Sequence, residues 1–173
     1  MDIVNVVCTA QLNCSLDLTK IANAYGNIIY KPNEFQGLRW NHRKIQGSCL
    51  LFNNGKLVIC GVTSHLAAKL SVRQYARLVQ RLAYRVSISQ WRIQTITAVY
   101  KYHSRLNLFE LTRANNWNYN PELFNAVCYK SGRIHFAITA RGRIIATGGR
   151  TIEEINDRFL DLLLCIEIST PDS

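Results

Sequence analysis

Short β-rich runs, often apolar on both parities and bounded by turn residues, follow one another along this chain, and helical stretches interrupt them in four places. Residues 3–12 are β-rich and apolar on both parities, the pattern of a strand covered on both faces. Ser15 or Asp17 is positioned to cap a short helix through Ala24, ended by Gly26. Residues 38–43, 46–53 and 56–62 read as three strands. Asn53-Asn54-Gly55 between the last two is a hairpin turn, because Asn and Gly tolerate positive φ. Ser64 then caps a long helix to about residue 82, with Leu66, Leu70, Tyr75, Leu78, Val79 and Leu82 at helical spacing.

The same order returns in the second half. Residues 92–101 read as a strand, 105–111 as a short helix, and 126–130, 133–139 and 143–148 as strands, with Thr151 capping a last helix to about residue 165. Residue identities return with it. Tyr30-x-Pro32-x-x-Phe35 recurs 89 positions later as Tyr119-x-Pro121-x-x-Phe124. Gly55-Lys56-Leu57-Val58-Ile59-Cys60-Gly61 recurs 87 positions later as Gly142-Arg143-Ile144-Ile145-Ala146-Thr147-Gly148. Leu16-Asp17-Leu18 recurs 90 positions later as Leu106-Asn107-Leu108. The slip from 89 to 87 predicts a tightened hairpin around Lys130-Ser131-Gly132-Arg133. Each half, 1–88 and 89–173, is therefore β-α-β-β-β-α. The class is α+β, one fused domain with one antiparallel sheet and helices on one face. A duplicated half-domain makes a pseudo-twofold object, which suits a roughly twofold ligand such as duplex DNA.

If helices cover one sheet face, the other face is expected to be polar. Here it is not: in the strand 56–62, Leu57 and Ile59 point one way, Val58 and Cys60 the other. An open apolar face of this kind marks a binding surface, a dimer interface or a seat for covering loops. The chain is 173 residues long and 48% hydrophobic, enough for one core. No window is long and apolar enough for a membrane-spanning helix, so no membrane partner is expected, and no leader-like segment opens the sequence. Six cysteines are scattered singly with no C-x-x-C pair, which predicts reduced, mostly buried thiols and no metal or other cofactor. The net charge of +10 favours a polyanionic partner. It is uneven: residues 1–87 carry 11 Lys+Arg against 3 Asp+Glu, residues 88–173 carry 10 against 8.

Leu16-Asp17-Leu18, Tyr30-x-Pro32-x-x-Phe35, Gly55-Lys56, Tyr75-Ala76-Arg77-Leu78-Val79-Gln80-Arg81-Leu82 and Pro121-Glu122-Leu123-Phe124 resemble the core of the TATA-box-binding protein family. The resemblance runs over nearly the whole chain, with enough differences to suggest a divergent, TBP-related factor. It implies a saddle in which the two pseudo-repeats share one curved antiparallel sheet with the helices on its convex face. It implies a concave sheet laid on a widened minor groove, with two pairs of phenylalanines wedged between base steps. This family is itself the type example of that mechanism. A·T-rich DNA suits it, since that minor groove offers only acceptors and no guanine amine.

The resemblance carries over residue by residue. Phe35 and Phe52 match the first wedge pair, and Phe124 the outer wedge of the second. The fourth wedge falls on Thr139, while Phe136, three residues off, is turned to the opposite strand face. Core packing ordinarily explains a lone phenylalanine, but the duplicated spacing favours wedges at Phe35, Phe52 and Phe124. Asn5 matches a base-contacting asparagine whose partner is Thr95, and Val7 a groove-contacting valine whose partner is Thr97. Val58 pairs with Ile145, and Cys60 with Thr147, where the family has paired threonines. Lys56, Arg143, Lys130 and Arg39 are candidates for phosphate contact or simply for a solvated surface, and Asn41 replaces a family arginine. The first half thus keeps the groove-reading face, while the second has lost a wedge, an asparagine and a valine. Kinking without the fourth wedge is less favourable by roughly a few kcal/mol.

Tyr119, Glu122 and Leu123 lie in the stretch matching the second stirrup, the loop that docks TFIIB in this family. Glu34 stands where the first stirrup is basic, which speaks against TFIIA. Lys69, Arg73, Arg77 and Arg81 form an i, i+4 stripe without acidic neighbours at that spacing, a costly arrangement unless an anionic partner offsets it. No P-loop, dinucleotide fingerprint or nucleophile elbow occurs, so no enzyme is expected. Two functions follow from the resemblance. One is a nuclear initiation factor that binds promoter DNA and recruits TFIIB or a relative. The other is an adaptor or competitor that acts through protein partners with weak or no TATA binding. Without DNA, the concave face is a candidate homodimer interface.

Overall fold

A computed structural model describes residues 1–169. It divides into two compact units, Asn5–Gln94 and Met1–Val4 together with the chain from Thr95 onward. The first takes β1 (Asp2–Gln11) from Asn5 onward, then α1 (Leu18–Ala24), β2 (Ile28–Ile29), β3 (Leu38–Trp40), β4 (Ser48–Leu51), β5 (Lys56–Val62) and α2 (His65–Gln80). Its strands pair antiparallel in the order β2-β3-β4-β5-β1. The second takes β6 (Ser89–Lys101) from Thr95 onward, then α3 (Leu108–Asn115), β7 (Val127–Ser131), β8 (Ile134–Ile138), β9 (Arg143–Gly149) and α4 (Ile152–Ser169). Its strands pair antiparallel as β6-β9-β8-β7. The α+β class is as expected. Among the described residues no helix is long and apolar enough to cross a membrane.

Side-chain caps start the helices at repeat-related positions. Asp17 accepts from the Lys20 amide at 3.0 Å, and Asn107 from those of Phe109 and Glu110. Ser64 accepts from Ala67 N–H, and Thr151 from Glu154 N–H. Each satisfies an amide that the first helical turn cannot. The cap at Asn107 corrects the helix expected at 105–111, which begins at Leu108 and runs to Asn115. The last helix likewise continues past residue 165 to Ser169. Two residues set no period, so β2 gave no sequence signal.

The shortened second repeat is located at one hairpin. Ser131 pairs with Ile134 across a two-residue turn, Gly132-Arg133, with Gly132 at φ +61. In the first unit, residues 41–47 form a loop there, so the strands expected at 38–43 and 46–53 shrink to β3 and β4. α2 fastens this loop. The buried Tyr75 hydroxyl lies 3.2 Å from Trp40 C=O and 3.1 Å from Gly47 C=O as a donor, and accepts from His42 N–H at 3.2 Å. Ser71 donates to Gln46 C=O at 2.8 Å.

Helices cover one strand face in each unit. Leu38, Trp40, Cys49, Leu51, Leu57 and Ile59 are buried with Ala68, Val72, Tyr75 and Val79 of α2. In the other unit Phe136, Ile138, Ile144 and Ala146 are buried with Ile155, Leu162 and Ile166 of α4. Leu66 and Leu70 correct the expected apolar stripe of α2: they are 75% and 53% exposed, because they lie off the helical stripe of Ala68, Val72, Tyr75 and Val79 that is buried. The thiols also differ from expectation. All six are free, but only Cys8 and Cys49 are buried, and Cys128 is exposed. Burial pushes the Cys8 thiol up to about 11 and Cys49 well above its usual range.

Burial also raises the Tyr75 hydroxyl to about 12, above its ordinary 10. A folded-state value above the unfolded one means that this stability is present below pH 10 and lost as pH rises through 12. Tyr75→Phe should cost about 1–3 kcal/mol at neutral pH, leaving buried carbonyls unpaired. It should also flatten part of the alkaline loss of stability. Urea unfolding at neutral pH and across the alkaline window checks both.

Candidate nucleic-acid interface

The strand faces turned away from the helices carry the chemistry. In the first unit, cross-strand pairs link Arg39 to Leu50, Leu50 to Val58, and Val58 to Thr9. The three uncharged members are half-buried and Arg39 is exposed. Val7 and Cys60 are half-buried on the same face, and Lys56 is exposed at its rim. In the second unit the corresponding row is Cys128, Ala137, Ile145 and Val99. The row beside it is Lys130, His135, Thr147 and Thr97. Half-exposed valines, isoleucine and leucine in two such rows make a surface that water wets poorly.

A glycine bulge positions one polar side chain in each unit. The β1–β5 register shifts between Val6 and Cys8, and the β6–β9 register between Ile96 and Thr97. Gly61 at φ +82 and Gly148 at φ +105 supply left-handed residues at these bulges. Their freed amides donate to Asn5 Oδ1 at 2.8 Å and to Thr95 Oγ1 at 3.1 Å. With its carbonyl so occupied, Asn5 presents its amide hydrogens as donors, while Thr95 has one hydroxyl hydrogen to offer.

The phenylalanines differ between units. Phe35 and Phe52 meet edge to face at 5.8 Å, and the Arg39 guanidinium lies 5.1 Å from the Phe35 ring centre. Gly37 seats both rings: a Cβ there would fall 2.6 Å from Phe35 and 2.9 Å from Phe52. Phe124 is 55% exposed. Thr139 is half-buried, and its hydroxyl bonds Arg143 C=O at 3.0 Å and Arg143 N–H at 3.2 Å, closing the β8–β9 turn. Phe136 is buried on the core side, as its strand parity required.

One polar cleft was missed by sequence reasoning. A space of about 260 Å³ in the first unit is lined by Thr9, Gln11, Lys56, Gln90, Arg92 and Gln94, with Ala10. Gln94 donates to Thr9 Oγ1 at 2.7 Å, on the open face. Counting alternate positions back from Thr97 and Thr95 assigns Arg92 and Gln94 to the other side, so strict alternation fails there. A signal was present in Gln90-x-Arg92-x-Gln94 itself, a polar alternation at the start of the strand. The second unit has a cleft of about 190 Å³ that includes Cys128, Lys130, His135, Ala137, Ile145 and Thr147.

A family model described as "Transcription factor TFIID (or TATA-binding protein, TBP)" matches residues 1–82 and 90–167. The chain belongs to the TATA-box-binding protein family. Rattus norvegicus TATA box-binding protein-like 2 is 35% identical over 94% of this chain and 48% of its own length. The Spodoptera frugiperda TATA-box-binding protein is 34% identical over 90% and 52%. Entamoeba histolytica TATA-box-binding protein-like 1 is 31% identical over 98% and 81%. The chain thus spans about half the length of the first two. Methanococcus jannaschii TBP superposes with a TM-score of 0.86 at 22% identity, covering 96% of this chain and 98% of that one, which establishes the TBP fold. TBP-family proteins are transcription factors, not enzymes.

The turns at residues 31–35 and 120–124 are repeat-related in backbone. Phe35 N–H bonds Lys31 C=O as Phe124 N–H bonds Asn120 C=O, both at 2.9 Å. In the first, Glu34 pairs with Lys31 at 3.1 Å. In the second, Glu122 is exposed, Leu123 is 83% exposed, and Tyr119 packs against Phe109 at 5.3 Å. Lys69, Arg73, Arg77 and Arg81 are all exposed, Arg81 capping the end of α2.

The bulge glycines are not equally replaceable. A Cβ at Gly61 meets nothing nearer than 3.8 Å, so Gly61→Ala should cost about 1–2 kcal/mol, the left-handed penalty alone. At Gly148 it would fall 2.3 Å from Arg133 C=O, so Gly148→Ala should cost about 3–5 kcal/mol. Chemical denaturation of the two variants checks the order.

Proposed function

We propose that this chain acts in the nucleus as a transcription initiation factor. It binds A·T-rich promoter DNA in the minor groove through the strand faces left open by its helices. The observation that carries this reading is the apolar open row ending at the Phe35–Phe52 pair, with Asn5 held beside it as a donor. Apolar side chains suit sugars and base edges, and paired rings suit insertion at a base step. The Asn5 amide meets adenine N3 and thymine O2, both acceptors, whereas a guanine amine would oppose donor to donor. Arg39, Lys56, Lys130 and Arg143 then contact phosphates.

The two halves contribute unequally. Thr95 offers fewer donors than Asn5, Thr97 replaces a valine, and Thr139 spends its hydroxyl on its own turn. Binding is therefore led by the first unit, and the second end of the site is kinked less readily. Protein partners use the remaining surfaces. The exposed Glu122 and Leu123, beside Tyr119, dock TFIIB or a relative. The basic stripe Lys69, Arg73, Arg77 and Arg81 takes an acidic regulator. TFIIA is disfavoured, because Glu34 already holds the lysine of that turn. The threonine at 139 also supports the second reading, an adaptor or competitor that acts through protein partners with weak or no TATA binding.

Fluorescence anisotropy on a TATA-box duplex separates the two. Phe35→Ala and Phe52→Ala should each weaken binding about tenfold or more, equivalent to roughly 1.4 kcal/mol. Thr139→Phe should strengthen it. Glu122→Arg should abolish TFIIB capture with DNA affinity unchanged. If transcriptional function survives both alanine variants but not Glu122→Arg, the adaptor reading replaces the DNA-binding one.

A further inference from the structure

The second long helix carries a surface that the DNA reading does not use. α4 is amphipathic toward its own core through Ile155, Leu162 and Ile166, which are buried. Yet Leu160, Leu164 and Ile168 stand 59%, 59% and 81% exposed. At i, i+4 and i+8 they form one ridge along the helix, on the side turned from the core. Isolated exposed leucines are ordinary, but an aligned ridge of three is an apolar stripe that no described residue of its own unit covers.

The charge around that ridge selects its partner. Asp157 lies on the same face toward the helix start, and Asp161 and Glu167 flank the ridge on its two sides. Arg158 is the one basic residue of α4, and it lies 3.6 Å from Asp161. This acidic face belongs to a chain of net charge +10, so it runs against the overall balance. A negative rim repels nucleic acid and anionic lipid alike. It attracts a protein segment that is apolar on one stripe and basic beside it.

We propose that the exposed face of α4 docks a basic amphipathic helix of a partner protein. Leu160, Leu164 and Ile168 pack against that helix's apolar stripe, and Asp157, Asp161 and Glu167 pair with its flanking Lys or Arg. The surface is independent of the DNA-binding faces. It is opposite in sign to α2, where the exposed Leu66 and Leu70 lie beside Lys69 and Arg73. The two long helices thus sort partners by charge.

The test uses the full chain and two labelled synthetic 18-residue helices, one with leucines flanked by lysines and one with the same leucines flanked by glutamates. Anisotropy should detect binding of the lysine helix. Leu160→Ser with Leu164→Ser should weaken that binding about tenfold or more, and Asp157→Lys with Asp161→Lys likewise. Lys69→Glu with Arg73→Glu should leave it unchanged. The glutamate helix should show the reverse dependence. All four α4 positions are exposed, so thermal unfolding followed by circular dichroism should be near wild type. Failure of the lysine helix to bind, or binding that ignores both α4 double variants, overturns the proposal.

Discussion

Antiparallel strands have two faces, and the helices of each unit cover one. The remainder of this molecule follows from what the sequence leaves on the other. In β5, Leu57 and Ile59 are fully buried beneath the helices, while Val58 and Cys60 alternate with them and stay half-exposed. In β9, Ile144 and Ala146 are buried and Ile145 and Thr147 are not. A protein that needed only to fold would place polar residues at those alternate positions. On the proposed reading, the retained apolar surface is what promoter DNA removes from water.

The duplication is kept most strictly in the backbone. Phe52 N–H bonds Lys56 C=O and Thr139 N–H bonds Arg143 C=O, each at 3.0 Å. Gly55 and Gly142 close the same turns, and Gly61 and Gly148 bend the same strands. Side chains diverge on every surface: Cys49 answers to Phe136 in the core, and Phe52 to Thr139 on the open face. Thr95 illustrates this: it preserves the glycine-amide acceptor supplied by Asn5 while reducing the donors presented outward. A structural role and a proposed recognition role share one position, and only the structural one is maintained in both copies.

Much of this was legible in the sequence for physical reasons. The recurring glycine-bounded apolar runs, Gly55 to Gly61 and Gly142 to Gly148, located β5 and β9 to within a residue, because turn residues punctuate a strand. Ser64, Asp17 and Thr151 announced helix starts through their capping chemistry. Spacing alone could not decide which side of α2 faces the sheet. Leu66 and Leu70 fit the helical period but lost the core to Ala68, Val72 and Ala76. Nor could alternation reveal the stretch carrying Arg92 and Gln94, where strict parity fails. As candidate wedges, Phe35 and Phe124 stood out because their motif recurs, whereas Phe52, whose counterpart is Thr139, was marked by the family resemblance.

The most direct measurement is the affinity of the purified chain for TATA-box and scrambled duplexes across a salt series. Apolar contact with the groove depends weakly on salt, whereas phosphate contact releases counterions and weakens steeply. A preference for the TATA-box duplex that persists at high salt is the predicted result. Binding that ignores sequence and collapses with salt would contradict the account, reducing the interface to the chain's positive charge.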